Sequence, residues 1–315
     1  MALLEIENLK KYFSTPRGNV HAVDDVSFSI DKGETMGLVG ESGCGKSTLG
    51  RTIIHLLEST GGNIRFEGKD VTYLKKDGLK KLREDMQIIF QDPYSSLNPR
   101  LTLRDTVKEP LKLSGRFGKQ SLAAETDRLM DMVGVEKRFR MSYPHELDGG
   151  RRQRVGIARA IALNPKFVVC DEPVSALDVS IQAQILNLLM DLQDEFGLTY
   201  LFVTHDLSVV RHISTNCCVM YLGQMVETCL TAELFERPLH PYTKALLSAI
   251  PTVDIHNRNE RVLLKGEISS PINPQPGCRF APRCLHATEQ CYQPVELREV
   301  IQGHFCSCCR VNEIN

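Results

Sequence analysis

Residues 34–48 read Glu-Thr-Met-Gly-Leu-Val-Gly-Glu-Ser-Gly-Cys-Gly-Lys-Ser-Thr. The first six are a short apolar run of strand type. Residues 40–47 match in full the phosphate-loop pattern GxxxxGK followed by Ser or Thr, and a helical pattern begins at Ser47. Glycines let backbone N–H groups turn inward around phosphate oxygens, and a helix start adds about half a positive charge. Lys46 is placed to reach the β- and γ-phosphates, and the Ser47 hydroxyl to ligate Mg²⁺. Gly40, Glu41, Ser42, Gly43, Cys44, Gly45 and Thr48 complete the expected cradle.

Outward from this stretch, short β-rich runs at residues 86–90, 167–170 and 199–203 alternate with helical patterns. That alternation predicts an α/β fold with a mostly parallel sheet and helices on both faces. Ile181, Ile185, Leu188, Leu189 and Leu192 form a helical stripe that ends before Gly197. From about residue 93 to 163 the strand signal disappears and helical patterns such as residues 121–133 take over, which predicts an inserted helical subdomain. Residues 167–172 read Phe-Val-Val-Cys-Asp-Glu, a buried-strand run ending in two carboxylates. Beside a phosphate loop, Asp171 belongs near the metal shell, and Glu172 is the candidate general base for an attacking water.

The chain has 315 residues, enough for one large domain with an extension or for two domains. With 42% hydrophobic and 24% charged residues it is globular, which excludes a wholly disordered, collagen-like or coiled-coil chain. Its 38 basic and 39 acidic residues give a net charge of −1, so there is no extended polyanion-binding field and no nucleic-acid partner is expected. No apolar run reaches the roughly 18 residues of a membrane span, and charges come too early for a secretory signal, so the expected place is the cytoplasm. Of 11 cysteines, six crowd into residues 278–309. In a cytoplasmic chain such a cluster points to metal ligation. Pro271, Pro274, Pro276 and Pro282 surround its first members, so the tail is expected to be loop-rich and held by something other than a sheet.

These residues resemble the ATP-binding subunits of ABC transporters over nearly the whole chain. Besides the phosphate loop and Asp171-Glu172, there is a Q-loop-like Gln91 in IIFQDP, a D-loop-like Ser175-Ala176-Leu177-Asp178 and a switch-like His205 in FVTHD. The resemblance implies a P-loop NTPase with a mainly parallel sheet and an antiparallel N-terminal β subdomain. It divides the chain into a nucleotide-binding domain at residues 1–235, with its helical subdomain at about 93–163, and a C-terminal extension at 236–315. It also implies a sandwich dimer, each ATP lying between the phosphate loop of one subunit and the signature motif of the other. Gln91 would touch Mg²⁺ and report to membrane subunits, and His205 would contact the γ-phosphate. Phe13 sits where the family places an aromatic on adenine, with Tyr12 as the alternative.

The family signature is LSGGQ; here it reads Leu147-Asp148-Gly149-Gly150-Arg151. Asp148 would put a carboxylate where the family's serine faces the partner's γ-phosphate. Like charges 4 Å apart repel by about 1 kcal/mol in water and about 4 kcal/mol at an effective dielectric of 20. The expectation is a pairing with a different ATPase subunit, giving one competent and one impaired site. The tail resembles the extension of oligopeptide and dipeptide importer ATPases, matching at Cys278, Cys284, Cys291 and Cys308, with Cys306 and Cys309 as other choices for the fourth. Four thiolates suit a 4Fe–4S cluster or Zn²⁺. Gaps of five, six and sixteen residues, unlike the two-residue zinc knuckle, favour iron–sulfur.

The resemblance thus implies an ATPase subunit peripheral to the inner face of the membrane, with two permeases and a solute-binding protein as partners and peptides as the leading solute. Nickel chelates and oligosaccharides are the alternative solutes. A soluble ABC ATPase switch would carry a second ATPase domain or a long coiled-coil insertion, and neither is present. A merely regulatory nucleotide-binding subunit is disfavoured by intact Glu172 and His205.

Overall fold

The computed structural model describes residues 2–250, 262, 264, 266 and 269–315. The chain forms two units, Met1–Tyr73 with Phe202–Asn315, and Leu74–Leu201. In chain order the first unit begins with β1 (Ala2–Thr15), β2 (Gly18–Asp31), β3 (Thr35–Val39), α1 (Lys46–Ile53), β4 (Gly61–Phe66) and β5 (Lys69–Asp70). The second unit holds α2 (Lys76–Asp85), β6 (Met86–Ile89), α3 (Leu103–Ser114), α4 (Lys119–Met132), α5 (Gly149–Ile161), β7 (Phe167–Asp171) and α6 (Val179–Phe196). Strand β8 (Thr199–Thr204) runs through the boundary. The first unit resumes with α7 (Leu207–Ile213), β9 (Asn216–Tyr221), β10 (Gln224–Leu230), α8 (Thr231–Glu236) and α9 (Pro241–Ser248), and ends with β11 (Arg298–Ile301), β12 (His304–Cys306) and α10 (Val311–Ile314).

In the first unit, β1 and β2 make a long antiparallel hairpin closed at Thr15↔Gly18, and β4 and β5 extend it in the order β2-β1-β4-β5. Leu4, Ile6, Leu9, Val23, Val26 and Ile30 are buried, the apolar positions that drive this sheet. Strand β3, buried at all five positions, lies parallel to β9 with Val39 opposite Val219. Continuous burial is the mark of a strand covered on both faces. In the second unit β6 and β7 are parallel, Ile89 opposite Cys170. The strand-free stretch between them carries α3, α4 and α5, and Arg140 joins Asp127 and Asp131 across it.

One expectation is corrected. The tail is held by a sheet: β12 pairs antiparallel with β10 at Glu227↔Cys306 and Thr228↔Phe305, and β11 pairs with β12. Strands of four and three residues are too short for their alternation to register in sequence. The pairing is anchored by Glu227, fully buried, whose carboxylate accepts the Leu239 and His240 N–H groups at 2.6 and 2.9 Å and meets His304 Nε2 at 2.8 Å. A buried carboxylate survives only with such partners.

Candidate functional site

The phosphate loop leaves β3 and enters α1 through glycines that no other residue could replace. Gly45 has φ 107°, and a Cβ there would lie 1.9 Å from the Ala22 carbonyl oxygen; one on Gly40, at φ 155°, would lie 2.1 Å from the Met220 carbonyl oxygen. Helix α1 has no side-chain cap at its start, so its first N–H groups are presented to the loop rather than to a capping oxygen. Lys46 is buried and donates from Nζ to the Gly40 and Glu41 carbonyls at 2.7 and 3.0 Å. These carbonyls hold the ammonium group where phosphate oxygens would otherwise receive it. Ser42, Gly43 and Cys44 form the turn between, Cys44 buried with its Sγ 3.8 Å from Lys46 Nζ, and Ser47 and Thr48 open the helix.

Of the two candidate stacking aromatics, Tyr12 is committed elsewhere. Its ring stacks on His21 at 4.0 Å between centroids and its hydroxyl donates to Asp24. Burial and the Asp24 carboxylate push that hydroxyl's pKa up. Phe13 is the exposed ring, 37% accessible, with Lys11 Nζ 4.9 Å from its centroid. His205 follows β8 directly and is exposed ahead of α7.

In the second unit, the register of β6 and β7 sets Gln91 and Glu172 two residues beyond the paired Ile89 and Cys170, at neighbouring strand tips. Gln91 Nε2 donates to Glu172 Oε2 at 2.9 Å. Asp171, the last residue of β7, is fully buried; Glu172 turns the chain in a left-handed conformation, φ 47°, and its carbonyl accepts the Ser175 hydroxyl at 3.1 Å. In this arrangement Gln91 holds the carboxylate that would serve as base. Gln91→Glu would set two carboxylates against each other, favouring protonation of Glu172. The acid limb of a kcat/KM profile against pH should then move to higher pH; an unmoved limb would mean that Gln91 does not tune this base.

The signature residues open α5. Asp148 is its N-cap: one carboxylate oxygen accepts the Arg151 N–H at 2.8 Å, the other pairs with the Arg151 guanidinium. Burial opposes ionisation, but the Arg151 N–H, guanidinium hydrogen bond and charge outweigh it and hold the carboxyl below its usual range. Arg151 also reaches Glu136 at 3.4 Å and lies over Phe139, so it is fixed beside Asp148. Gly149 and Gly150 allow close packing: a Cβ on Gly150 would meet Ile181 at 2.7 Å, and one on Gly149 would meet Leu177 at 3.0 Å. Leu147 is buried beneath, and a 690 Å³ cavity lies open in front of Asp148, Gly149, Arg151 and Asp178.

In the tail, Cys278, Cys284, Cys291, Cys308 and Cys309 line one cavity together with Phe280 and Ala281. Cys291 and Cys309 stand 3.6 Å apart between sulfurs. Backbone N–H groups of His286 and Thr288 point at the sulfurs of Cys284 and Cys291, at 3.4 and 3.5 Å. Burial pushes the Cys278 thiol up to about 12 and the Cys309 thiol up to about 11; at Cys291 burial is outweighed by hydrogen bonds from Thr288 and Cys309 and by Arg310, which bring it down. Convergent sulfurs with N–H donors fit a thiolate-bound metal centre. Cys306 does not line this cavity; it is fully buried on β12 against Leu239 and Val311. Cys44, Cys170, Cys217, Cys218 and Cys229 are buried, as small apolar side chains.

The comparisons with known proteins agree on the frame. The ABC transporter family model matches residues 23–175, and the model for the oligopeptide/dipeptide transporter, C-terminal region, matches residues 226–291. The oligopeptide transport ATP-binding protein AppF of Bacillus subtilis is 50% identical, with 97% of this chain and 96% of AppF covered. The chain belongs to the ABC transporter family. This ABC ATPase is also 50% identical to the oligopeptide transport ATP-binding protein OppF of Bacillus subtilis, covering 97% of this chain and 96% of OppF. An ATP-binding cassette solved as a dimer in a post-hydrolysis state, bound to ADP and Pi, superposes with a TM-score of 0.67 at 31% identity, covering 72% of this chain and 98% of that one. The fold is accordingly that of the ABC ATPases, with an antiparallel N-terminal sheet and a mixed sheet carrying helices. The chain is an ATP-hydrolysing transporter subunit that uses ATP with Mg²⁺. Among the described residues, no helix is long and apolar enough to cross a membrane.

Two partners of the phosphate loop escaped the sequence reading. Arg283 and Tyr242 both bind Glu41. The only sequence signal for Arg283 is a basic residue beside Cys284.

Proposed function

We propose that this ABC ATPase powers the import of di- and oligopeptides, working at the inner membrane face with two permeases and a solute-binding protein. The observation that carries the solute class is the 50% identity to AppF over 97% of this chain, tail included. In this reading ATP rests on residues 40–48 with Phe13 against the adenine. Lys46 leaves the Gly40 and Glu41 carbonyls for the β- and γ-phosphates. Ser47 and Gln91 would hold Mg²⁺, with Asp171 assigned to its shell, and the ion would neutralise phosphate charge; Glu172 would take a proton from the attacking water. His205 contacts the γ-phosphate. The loop at residues 93–99 receives the permease: its Tyr94 is exposed under Arg152, and Arg159 holds the Ser96 carbonyl at 2.6 Å. The test is ATP-driven uptake of labelled peptides in proteoliposomes holding the whole complex. Uptake of a nickel chelate or an oligosaccharide in place of peptides would reassign the solute.

The partner ATPase is a different chain, and the two composite sites are unequal. The site built on this chain's residues 40–48, Glu172 and His205 with the partner's signature is competent; the one facing Asp148 is impaired. Pairing with Arg151 offsets part of the Asp148 charge, so the second site binds ATP but turns it over slowly. Asp148→Ser in the assembled complex should raise nucleotide occupancy or turnover at that site; no change in either would remove the asymmetry.

The tail thiols hold a structural 4Fe–4S cluster through Cys278, Cys284, Cys291 and Cys308. When bound, such a cluster cross-links the loops that carry its ligands. Gaps of five, six and sixteen residues between these cysteines, unlike the two-residue zinc knuckle, favour iron–sulfur over zinc. Among the described residues, the group of three metal-type ligands drawn together within 4.8 Å is Cys229, Glu233 and His304 rather than three tail thiols. Anaerobic preparation should yield about four iron and four sulfide per chain, lost in Cys291→Ser. One zinc and no iron per chain would replace the cluster with a zinc site.

A further inference from the structure

Glu41, the second residue of the phosphate loop, is tied at three points. Its carbonyl accepts from Lys46 Nζ at 3.0 Å, its N–H donates to the Tyr242 hydroxyl at 2.8 Å, and its carboxylate takes both terminal nitrogens of Arg283 at 2.7 and 3.0 Å. The Arg283 side chain is 9% exposed and also meets the Tyr221 hydroxyl at 3.4 Å. A two-pronged guanidinium–carboxylate pair fixes orientation as well as distance.

Arg283 belongs to a short segment bounded by cysteines. It closes the single turn Ala281–Arg283, immediately before Cys284, and Cys278 starts the same segment. Between them Phe280 is wedged against Tyr221 and Tyr242, each with ring centroids 5.3 Å away, and Arg279 binds the Leu222 carbonyl and Asp24. Asp24 is the residue that also holds Tyr12, next to Phe13. The segment therefore touches the phosphate loop directly, through Arg283, and reaches the strand that carries the exposed aromatic through Asp24 of β2.

We propose that Arg283 is a positioning residue of the phosphate loop: by gripping the Glu41 carboxylate it sets the peptide carbonyls that hold Lys46, so the cysteine-bounded segment tunes nucleotide affinity. This rests on reading residues 40–48 as the ATP cradle. Arg283 touches no nucleotide and acts through Glu41. Without it, the Glu41 carboxylate is left uncompensated near the triphosphate, and the loop loses one of its three ties. Both effects weaken ATP binding. Neither reaches Glu172, so KM rises more than kcat falls.

The test is titration of the full chain with Mg²⁺ and a non-hydrolysable ATP analogue, alongside steady-state kinetics. Arg283→Gln should weaken binding about 10-fold, the loss of a charged hydrogen-bonded pair. Glu41→Gln combined with Arg283→Gln should be no weaker than Arg283→Gln alone, and Cys284→Ala should weaken binding in the wild-type background but not in Arg283→Gln. Should Arg283→Gln fail to fold, Arg283→Lys keeps the charge without the fork and should fall between. Binding within about twofold of wild type in Arg283→Gln, or effects of Arg283→Gln and Glu41→Gln that add, would overturn the positioning role. An unaltered affinity in Cys284→Ala would overturn the link to the tail. Lys46→Ala is the control: if it too binds normally, the phosphate-loop reading itself is at fault.

Discussion

Glu172→Gln is expected to lower ATP turnover about 100- to 10,000-fold while ATP binding persists, the usual range for removing a general base. The substitution is chosen because it changes one property only. Glutamine has the same length and shape, keeps an oxygen to accept the Gln91 Nε2 hydrogen bond seen at 2.9 Å, and can adopt the same turn at φ 47°. What it removes is an anionic oxygen able to take a proton from water. Single-turnover hydrolysis with binding measured in parallel separates the two effects. Turnover within about tenfold of wild type would take the base role from Glu172 and favour a subunit that binds nucleotide chiefly for regulation.

Gly45→Ala is expected to abolish nucleotide binding and to destabilise the first unit by roughly 2–4 kcal/mol, through positive-φ strain and a backbone clash. The added Cβ would stand 1.9 Å from the Ala22 carbonyl oxygen at φ 107°, so either β2 or the loop must shift. Because Gly45 immediately precedes Lys46 and α1, any relaxation moves the ammonium group and the helix-start N–H groups together. Thermal unfolding and nucleotide titration on the same sample read both consequences. A variant that unfolds at the wild-type temperature and binds ATP normally would show that the close approach at Gly45 does not constrain the loop.

The phosphate loop could be read from sequence because its chemistry is carried by residue types with few substitutes: glycines where a Cβ has no room, and a lysine at a fixed offset. Gln91 and Glu172 could be picked out singly, but their hydrogen bond comes from the β6–β7 register, which no spacing along the chain specifies. Asp148 stood out as a departure from the signature. Its cap and its pairing with Arg151 are local, three residues apart, and were open to reading from the helix-start pattern. Glu41 and Arg283 lie 242 positions apart, and a pair of that kind is created only by the fold. The hairpin of β11 and β12 was missed for a different reason: its strands are too short for periodicity, and the prolines ahead of them argued for loops.

We propose that this ATPase works in a peptide importer beside a second, different ATPase. The most direct test is anaerobic purification of this chain from gently solubilised native membranes, with mass spectrometry of everything retained. The account predicts recovery of two permeases, a solute-binding protein and a distinct ATPase carrying an intact signature serine. Recovery of this chain with permeases but no other ATPase would contradict it, and the carboxylate of Asp148 would then face both nucleotides of a symmetric pair.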